Sequence, residues 1–172
     1  MVEVTRTFLE MRDLSRLHRK PLPTPDAHVV HLTLCTVKQY RELYKRVGDT
    51  WHWHDRLVWS DERLGQQLAK PNICVWELRV GTDLGGYFEL EVQDGGDVEI
   101  VYFGLTPEFI GKGFGAAMLS RATEEAFALG AARVWLHTCT LDSPRALPNY
   151  KARGFKETGK VEKYVVQVPD EH

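Results

Sequence analysis

The sequence predicts an α/β fold of the α+β type, with antiparallel strands leading through a glycine-rich loop into a long helix. Three observations carry that prediction. Three β-rich runs follow one another between residues 73 and 105, separated by tight turns. A loop with three glycines in five residues, Gly111, Gly113 and Gly115, joins the last run to an alanine-rich segment. A further strand-like run and a short helical run complete the pattern before residue 155.

Each element has its own signal. Thr5 to Met11 has strand composition, and Pro21-Leu-Pro-Thr-Pro25 is a stiff connector. His28 to Leu34 has the β-branched content of a strand. Thr36 is placed to cap a helix in which Tyr40, Leu43, Tyr44 and Val47 share one face. Asp61 to Ala69 reads as a second helix, stopped by Pro71. Ile73 to Val80 is a strand closed by the Gly81-Thr-Asp turn, Leu84 to Gln93 is its partner, and Asp94-Gly-Gly-Asp97 is a hairpin turn. Val98 to Leu105 then runs into the glycine loop. The helix from Gly113 to Leu129 puts Met118, Ala122 and Ala126 on one face and ends at Gly130. Ala132 to His137 is a strand. A turn is expected from Ser143 to Leu147, with a short helix from Pro148 closed by Gly154.

At 172 residues the length prior gives one domain over 1–172, with 1–27 as an N-terminal extension carrying the proline-rich connector. The chain has 22 basic and 24 acidic residues, a net charge of −2, so no nucleic-acid partner and no anionic membrane is implied. Cys35, Cys74 and Cys139 are odd in number and form no Cys-x-x-Cys. Reduced thiols in a cytoplasm are the simplest reading, and no secretory segment or spanning run is evident. A homodimer stays open.

The loop decides the chemistry. Glycines let backbone N–H groups approach a ligand, and a helix starting inside the loop adds its unpaired first-turn donors. Together they make a nest for a phosphate or pyrophosphate. It is not a P-loop, because Lys112 is followed by Gly113 rather than by a hydroxyl for magnesium. The antiparallel strands upstream do not suit a dinucleotide fingerprint, which needs a parallel sheet.

The order of elements resembles the GNAT superfamily of acyl-CoA N-acyltransferases. The family loop, Gln/Arg-x-x-Gly-x-Gly/Ala, is matched by Gly113-Phe114-Gly115 with Lys112 before them, while Ile110 stands where Gln or Arg is usual. Ala146, Tyr150 and Gly154-Phe155 match its Ala-x-x-x-Tyr-x-x-x-Gly-Phe signature. The resemblance implies the GNAT fold, a central mixed, mostly antiparallel sheet flanked by helices, here with an extra N-terminal strand. It implies acetyl-CoA as acyl donor substrate, with the strand edge Phe103, Gly104 and Leu105 pairing with pantetheine amides. Gly111, Lys112, Gly113, Phe114, Gly115 and Ala116 would hold the pyrophosphate, and Asp142, Ser143, Ala146 and Tyr150 would complete the donor site. Tyr150 is implied as the acid for the leaving thiolate. Glu99 precedes Gly113 by fourteen residues, the spacing of a general base in one branch of the family; Glu89 and Glu91 are its rivals as base or substrate carboxylate.

Trp51-His-Trp-His54 is the other unusual cluster. Its place between the first two helices implies an acceptor pocket of Trp51, His52, Trp53 and His54, with His137 either facing the same cleft or satisfying a buried polar network. Tryptophans plugging the core are the competing explanation. Two imidazoles without a third ligand make no metal site. Direct transfer of an acetyl group to a primary amine is the leading function, whether the acceptor is a small molecule, a peptide N-terminus or a lysine. A catalytically silent CoA-binding sensor on the same fold is the alternative, and a partner-binding domain without CoA is the third class.

Overall fold

The computed structural model describes residues 1–167. In chain order the elements are β1 (Val2–Met11), β2 (Ala27–His31), α1 (Val37–Gly48), α2 (Asp61–Leu68), β3 (Ile73–Val80) and β4 (Asp83–Val92). They continue as β5 (Asp97–Leu105), α3 (Phe114–Ala128), β6 (Arg133–Cys139), α4 (Ala146–Arg153) and β7 (Lys156–Val166). The strands form one sheet in the order β2-β3-β4-β5-β6-β1-β7. Neighbours are antiparallel except β5 and β6, which α3 connects as a parallel crossover. The expected mixed, mostly antiparallel sheet with flanking helices is therefore present. No helix among the described residues is long and apolar enough to cross a membrane.

Helices cover the two faces of the sheet. On one face Tyr40, Leu43, Tyr44 and Val47 of α1 and Leu64 of α2 pack on Val75, Leu84 and Tyr87. The helical spacing of those four α1 residues is what lets one face bury all of them. Thr36 caps α1 through the Gln39 N–H at 3.1 Å, and Ser60 caps α2 through the Arg63 N–H at 3.1 Å. On the other face Met118, Leu119, Ala122 and Ala126 of α3, with Tyr150 and Phe155, pack on Leu78, Phe88, Leu90, Ile100 and Leu136. Being covered on both sides, β4 is buried continuously from Leu84 to Leu90.

Three elements differ from the sequence expectation. The helix α4 starts at Ala146, two residues before Pro148. Pro148 falls in the first turn, where an N–H would have no intrahelical acceptor, so the ring costs no hydrogen bond. The strand β2 ends at His31, and the chain then turns so that Leu34 is exposed before the Thr36 cap. The strand β7 was not foreseen. Its sequence is charged and mostly exposed, it pairs only with β1 at the sheet edge, and Gly159 at φ 88° interrupts its alternation.

The N-terminal strand is interior, with β6 on one side and β7 on the other. From its end the connector crosses the outside of α3 and α4. The His18 N–H reaches the Arg153 carbonyl at 2.9 Å, and the Lys20 N–H reaches Ser120 Oγ at 2.9 Å. Gly154 closes α4 at φ 107°, and a Cβ there would collide with the Arg16 carbonyl.

A buried ion pair ties the segment between α1 and α2 to the middle of the sheet. Arg56 is 6% exposed and Glu89 0%. The guanidinium donates to both carboxylate oxygens, at 2.5 and 2.8 Å, and the Tyr40 hydroxyl donates to Glu89 Oε1 at 2.7 Å. Removing one partner strands the other's charge, which costs about 3–5 kcal/mol. Glu89→Gln is therefore expected to lower unfolding stability by several kcal/mol in urea titrations. Asp61→Asn, at the solvent-exposed Arg41–Asp61 pair, should cost under about 1 kcal/mol. Equal losses in the two variants would show that the buried pair has no special structural weight.

Candidate active site

The site originates in a failure of strand pairing. Strands β5 and β6 are in register only at Asp97↔Arg133, Val98↔Val134 and Glu99↔Trp135, and then part. Just past that point β5 carries a bulge: Leu90 pairs with Ile100 and Glu89 with Tyr102, leaving Val101 as the extra residue. A bulge bends its strand and increases the local twist. The remaining backbone of β5 is paired with β4 alone, so its other edge borders a gap in the sheet. The gap is a cleft of about 670 Å³ lined by Val101 to Leu105 on one wall and His137, Cys139, Leu141 and Asp142 on the other.

The cleft passes from one face of the sheet to the other. On the α3 side are Gly111, Gly113, Gly115, Ala116, Arg145, Ala146, Asn149 and Tyr150. Phe103 meets Tyr150 edge-on there at 6.1 Å. On the α1 side are Trp51, His52, Trp53, His54 and Asp55, with Tyr102 packed on Trp53 at 5.1 Å. Arg6 and Tyr164, from β1 and β7, complete the lining.

The glycine loop has the geometry its sequence demanded. Gly111 and Gly113 adopt φ of 79° and 88°, and Gly113 begins α3 without a side-chain cap. The first-turn N–H groups of α3 consequently lack intrahelical partners beside the cleft. The ring of Phe114 turns into the core against Phe109, so it offers only its backbone. The Lys112 ammonium lies over the Phe109 ring at 5.9 Å, and Lys112 does not line the cleft. Neither Lys112 nor Phe114 is among the residues that line the cleft.

On the opposite face Trp53 folds back onto α1. Its N–H reaches the Gly48 carbonyl at 3.1 Å, and His52 takes the left-handed conformation, φ 59°, that the reversal needs. A Cβ on Gly104 would sit 2.5 Å from Val47 and 3.3 Å from the Trp53 ring, so only glycine lets α1 and this loop approach β5. Trp53 also packs on Tyr44 and Tyr87. It is both core plug and cleft wall, so the two explanations weighed from the sequence are not exclusive.

The carboxylates separate. Glu89 does not reach the cleft, because Arg56 and Tyr40 hold it in the core. Glu91 and Glu99 stand side by side across β4 and β5, at the root of the gap rather than on its walls. Gln93 Nε2 donates to Glu91 at 3.1 Å and to Glu99 at 3.0 Å, while its Oε1 accepts the Trp135 indole N–H at 2.9 Å. Burial pushes the Glu99 carboxyl up to about 7 against the Gln93 hydrogen bond, with Glu91 and Glu89 adding repulsion. His137 lines the cleft, and burial, then Arg6, lowers it, so its imidazole is neutral at pH 7. Tyr150 is 6% exposed; burial, then the Asp142 charge, holds its phenol protonated well above the usual range. Asp142 is occupied as a turn cap, accepting from the Thr138 hydroxyl at 2.7 Å and the Cys139 N–H at 2.9 Å.

Sequence reasoning missed Arg6, Tyr102, Arg145, Asn149 and Tyr164. Arg145 and Asn149 flank residues of the Ala-x-x-x-Tyr signature and had a local signal. Arg6 and Tyr164 had none, because only the sheet order brings them to the gap.

Comparisons with known proteins agree on one architecture. The profile of the acetyltransferase (GNAT) family matches residues 37–155. A GCN5-related N-acetyltransferase from Kribbella flavida superposes with TM-score 0.67 at 15% identity, over 92% of this chain and 56% of that one. The chain thus spans little more than half of that relative. An aminoglycoside acetyltransferase from an uncultured soil metagenomic sample, in complex with sisomicin, superposes with TM-score 0.64 at 14% identity, over 86% and 97% of the two chains. The ribosomal-protein-S18-alanine N-acetyltransferase of Escherichia coli gives TM-score 0.60 at 17% identity, over 77% and 79%. No curated protein matches significantly by sequence.

The two tryptophans should part on mutation. Trp51→Ala is expected to leave the folded state intact and raise KM for an amine acceptor severalfold. Trp53→Ala also opens a cavity against Tyr44 and Tyr87 and should cost about 3–5 kcal/mol of stability. Denaturant titration beside acceptor kinetics checks both. An unchanged acceptor KM in a folded Trp51→Ala would remove this loop from the acceptor pocket.

Proposed function

The chain belongs to the acetyltransferase (GNAT) family, and from that premise we propose that it transfers an acetyl group from acetyl-CoA directly to a primary amine. The observation that supports this most is the unpaired edge of β5 from Val101 to Leu105, open to the gap between the glycine loop and Tyr150. An extended pantetheine chain satisfies such an edge as a strand would, amide for amide. The loop and the start of α3 then receive the pyrophosphate. That orientation directs the thioester toward the gap.

In this reading the acceptor enters from the α1 side, past Trp51, His52, Trp53, His54 and Tyr102. Those rings form a wall suited to a cationic amine, with Asp55 as the carboxylate on that side of the cleft. Protonated amines do not attack, so the ammonium first yields a proton. Glu99 is the proposed base, acting through water because it stands behind the wall, with neutral His137 as the proposed relay of the proton. The amine nitrogen attacks the thioester carbon, the C–S bond breaks, the proton that the nitrogen then sheds passes through water to the departing sulfur, and an amide and CoA thiol result. Tyr150 supports the departing sulfur: its raised pKa keeps the hydroxyl proton in place as a hydrogen-bond donor while charge develops. Three free cysteines suit a reducing cytoplasm, which we propose as the location. The acceptors named for the similar structures, an aminoglycoside and a ribosomal-protein alanine, are both amines, and the aromatic wall favours a cationic small molecule here.

Calorimetry with acetyl-CoA and thiol release with a panel of amines test this reading. Binding without turnover on any amine would favour the silent sensor instead. Tyr150→Phe keeps the ring and removes the donor; kcat should fall at least about tenfold with CoA affinity little changed. Full kcat, where chemistry limits the rate, would reduce Tyr150 to a packing residue. The pH profile tests Glu99. Its carboxyl is protonated below about 7 and cannot accept a proton there, so kcat/KM should rise with pH through about 7. Glu99→Gln should abolish that inflection, and its survival would remove Glu99 from the base role.

A further inference from the structure

We propose that Arg145 binds the pyrophosphate of the acyl-CoA, supplying the cationic contact that the glycine loop itself does not bring to the cleft; this rests on the acyl-CoA reading above. The loop is short of cationic side chains where they are needed. Ile110 lines the cleft but is apolar, and Lys112 places its ammonium over Phe109. Among the described residues, two arginines and no lysine line the cleft. Arg6 is engaged by Glu162 at 3.1 Å and by the Tyr164 hydroxyl at 3.4 Å. Arg145 has no carboxylate of the described residues within ion-pair distance.

The guanidinium of Arg145 lies over Gly111. A Cβ built on that glycine would stand 3.3 Å from Nη2, 3.5 Å from Cζ and 3.5 Å from Nη1. The absent side chain therefore leaves room for the charged group to rest on the loop backbone. The Arg145 backbone is anchored at the start of α4: its N–H reaches Ser143 Oγ at 3.2 Å, and its carbonyl accepts the Asn149 N–H at 3.1 Å. The side chain thus spans from one lip of the cleft to the other. A planar fork of donors suits two phosphate oxygens at once, and it stands where the unpaired N–H groups of the loop and α3 border the cleft.

Dissociation constants for CoA and 3′-dephospho-CoA, with kcat/KM for phosphate-free S-acetylpantetheine, test the assignment in wild type, Arg145→Ala, Arg145→Lys and Arg145→Ala/Ile110→Arg. Arg145→Ala should weaken CoA and 3′-dephospho-CoA alike, by at least about tenfold, and leave S-acetylpantetheine turnover unchanged. Arg145→Lys should fall between, because an ammonium keeps the charge and loses the fork. Adding Ile110→Arg to Arg145→Ala should recover part of the affinity. Unchanged CoA affinity in Arg145→Ala would overturn the assignment. So would an equal loss with S-acetylpantetheine, which places the effect in the fold, or a loss absent with 3′-dephospho-CoA, which places the contact on the 3′-phosphate. A wild-type protein that binds no CoA at all would instead overturn the acyl-CoA reading, and Arg145 with it.

Discussion

The ion pair between Arg56 and Glu89 is the constraint on which one side of the cleft depends. The segment 49–60 has no long helix or strand of its own, and its tryptophans and histidines need an anchor. Arg56 supplies it by reaching into the core for a carboxylate on the most buried strand. Desolvating two charges is costly, and a lone contact would not repay it. Here the fork is bidentate, Tyr40 adds a hydrogen bond, and the rings of Tyr40, Trp59 and Tyr102 lie 5.4, 5.1 and 4.8 Å from the guanidinium carbon. The pair therefore helps to set the position of Trp53 and His54 relative to β5, beside the backbone bond from Trp53 to Gly48. A carboxylate that the sequence offered to chemistry is used for architecture.

The other constraint is geometric. A parallel pair of strands joined through α3 begins well and then diverges past a bulge, so the sheet carries an opening where a continuous ladder would otherwise run. The β5 edge at that opening has backbone donors and acceptors without a strand partner, an arrangement proteins keep only where solvent or a ligand can meet them. Helix α3 begins beside the same opening, and so does α4. Three incomplete backbone surfaces converge there, and the side chains around them are few. In the proposed reading, peptide groups would meet the ligand where Ile110 offers no charge.

Much of this was legible in the sequence where local chemistry dictates local structure. Thr36 and Ser60 cap their helices, the meander from Ile73 to Leu105 follows from alternation and turns, and Gly111 and Gly113 of the loop take conformations that only glycine takes readily. Positions set by tertiary partners were not legible. Nothing local distinguishes Glu89 from Glu99, yet Arg56 buries one and leaves the other at the root of the gap. Strand β7 was hidden because its exposed, charged sequence lacks the alternation of a half-buried strand. Arg6 became a cleft residue only because β1 inserts between β6 and β7.

That insertion also orders the events of folding. Strand β1 takes both of its hydrogen-bonding neighbours from residues 133–166, and the Arg6–Glu162 contact closes over 156 residues. Such pairings bear the full entropy of loop closure before they return any stability. On a growing chain, residues 2–11 have two unsatisfied edges until residues 133–166 have been made. During that interval an apolar strand containing Val4, Phe8 and Leu9 has no lawful partner. Strands exposed in this way are prone to pair with other chains, so the completion of this sheet from its two ends is the step at which misassembly competes with folding.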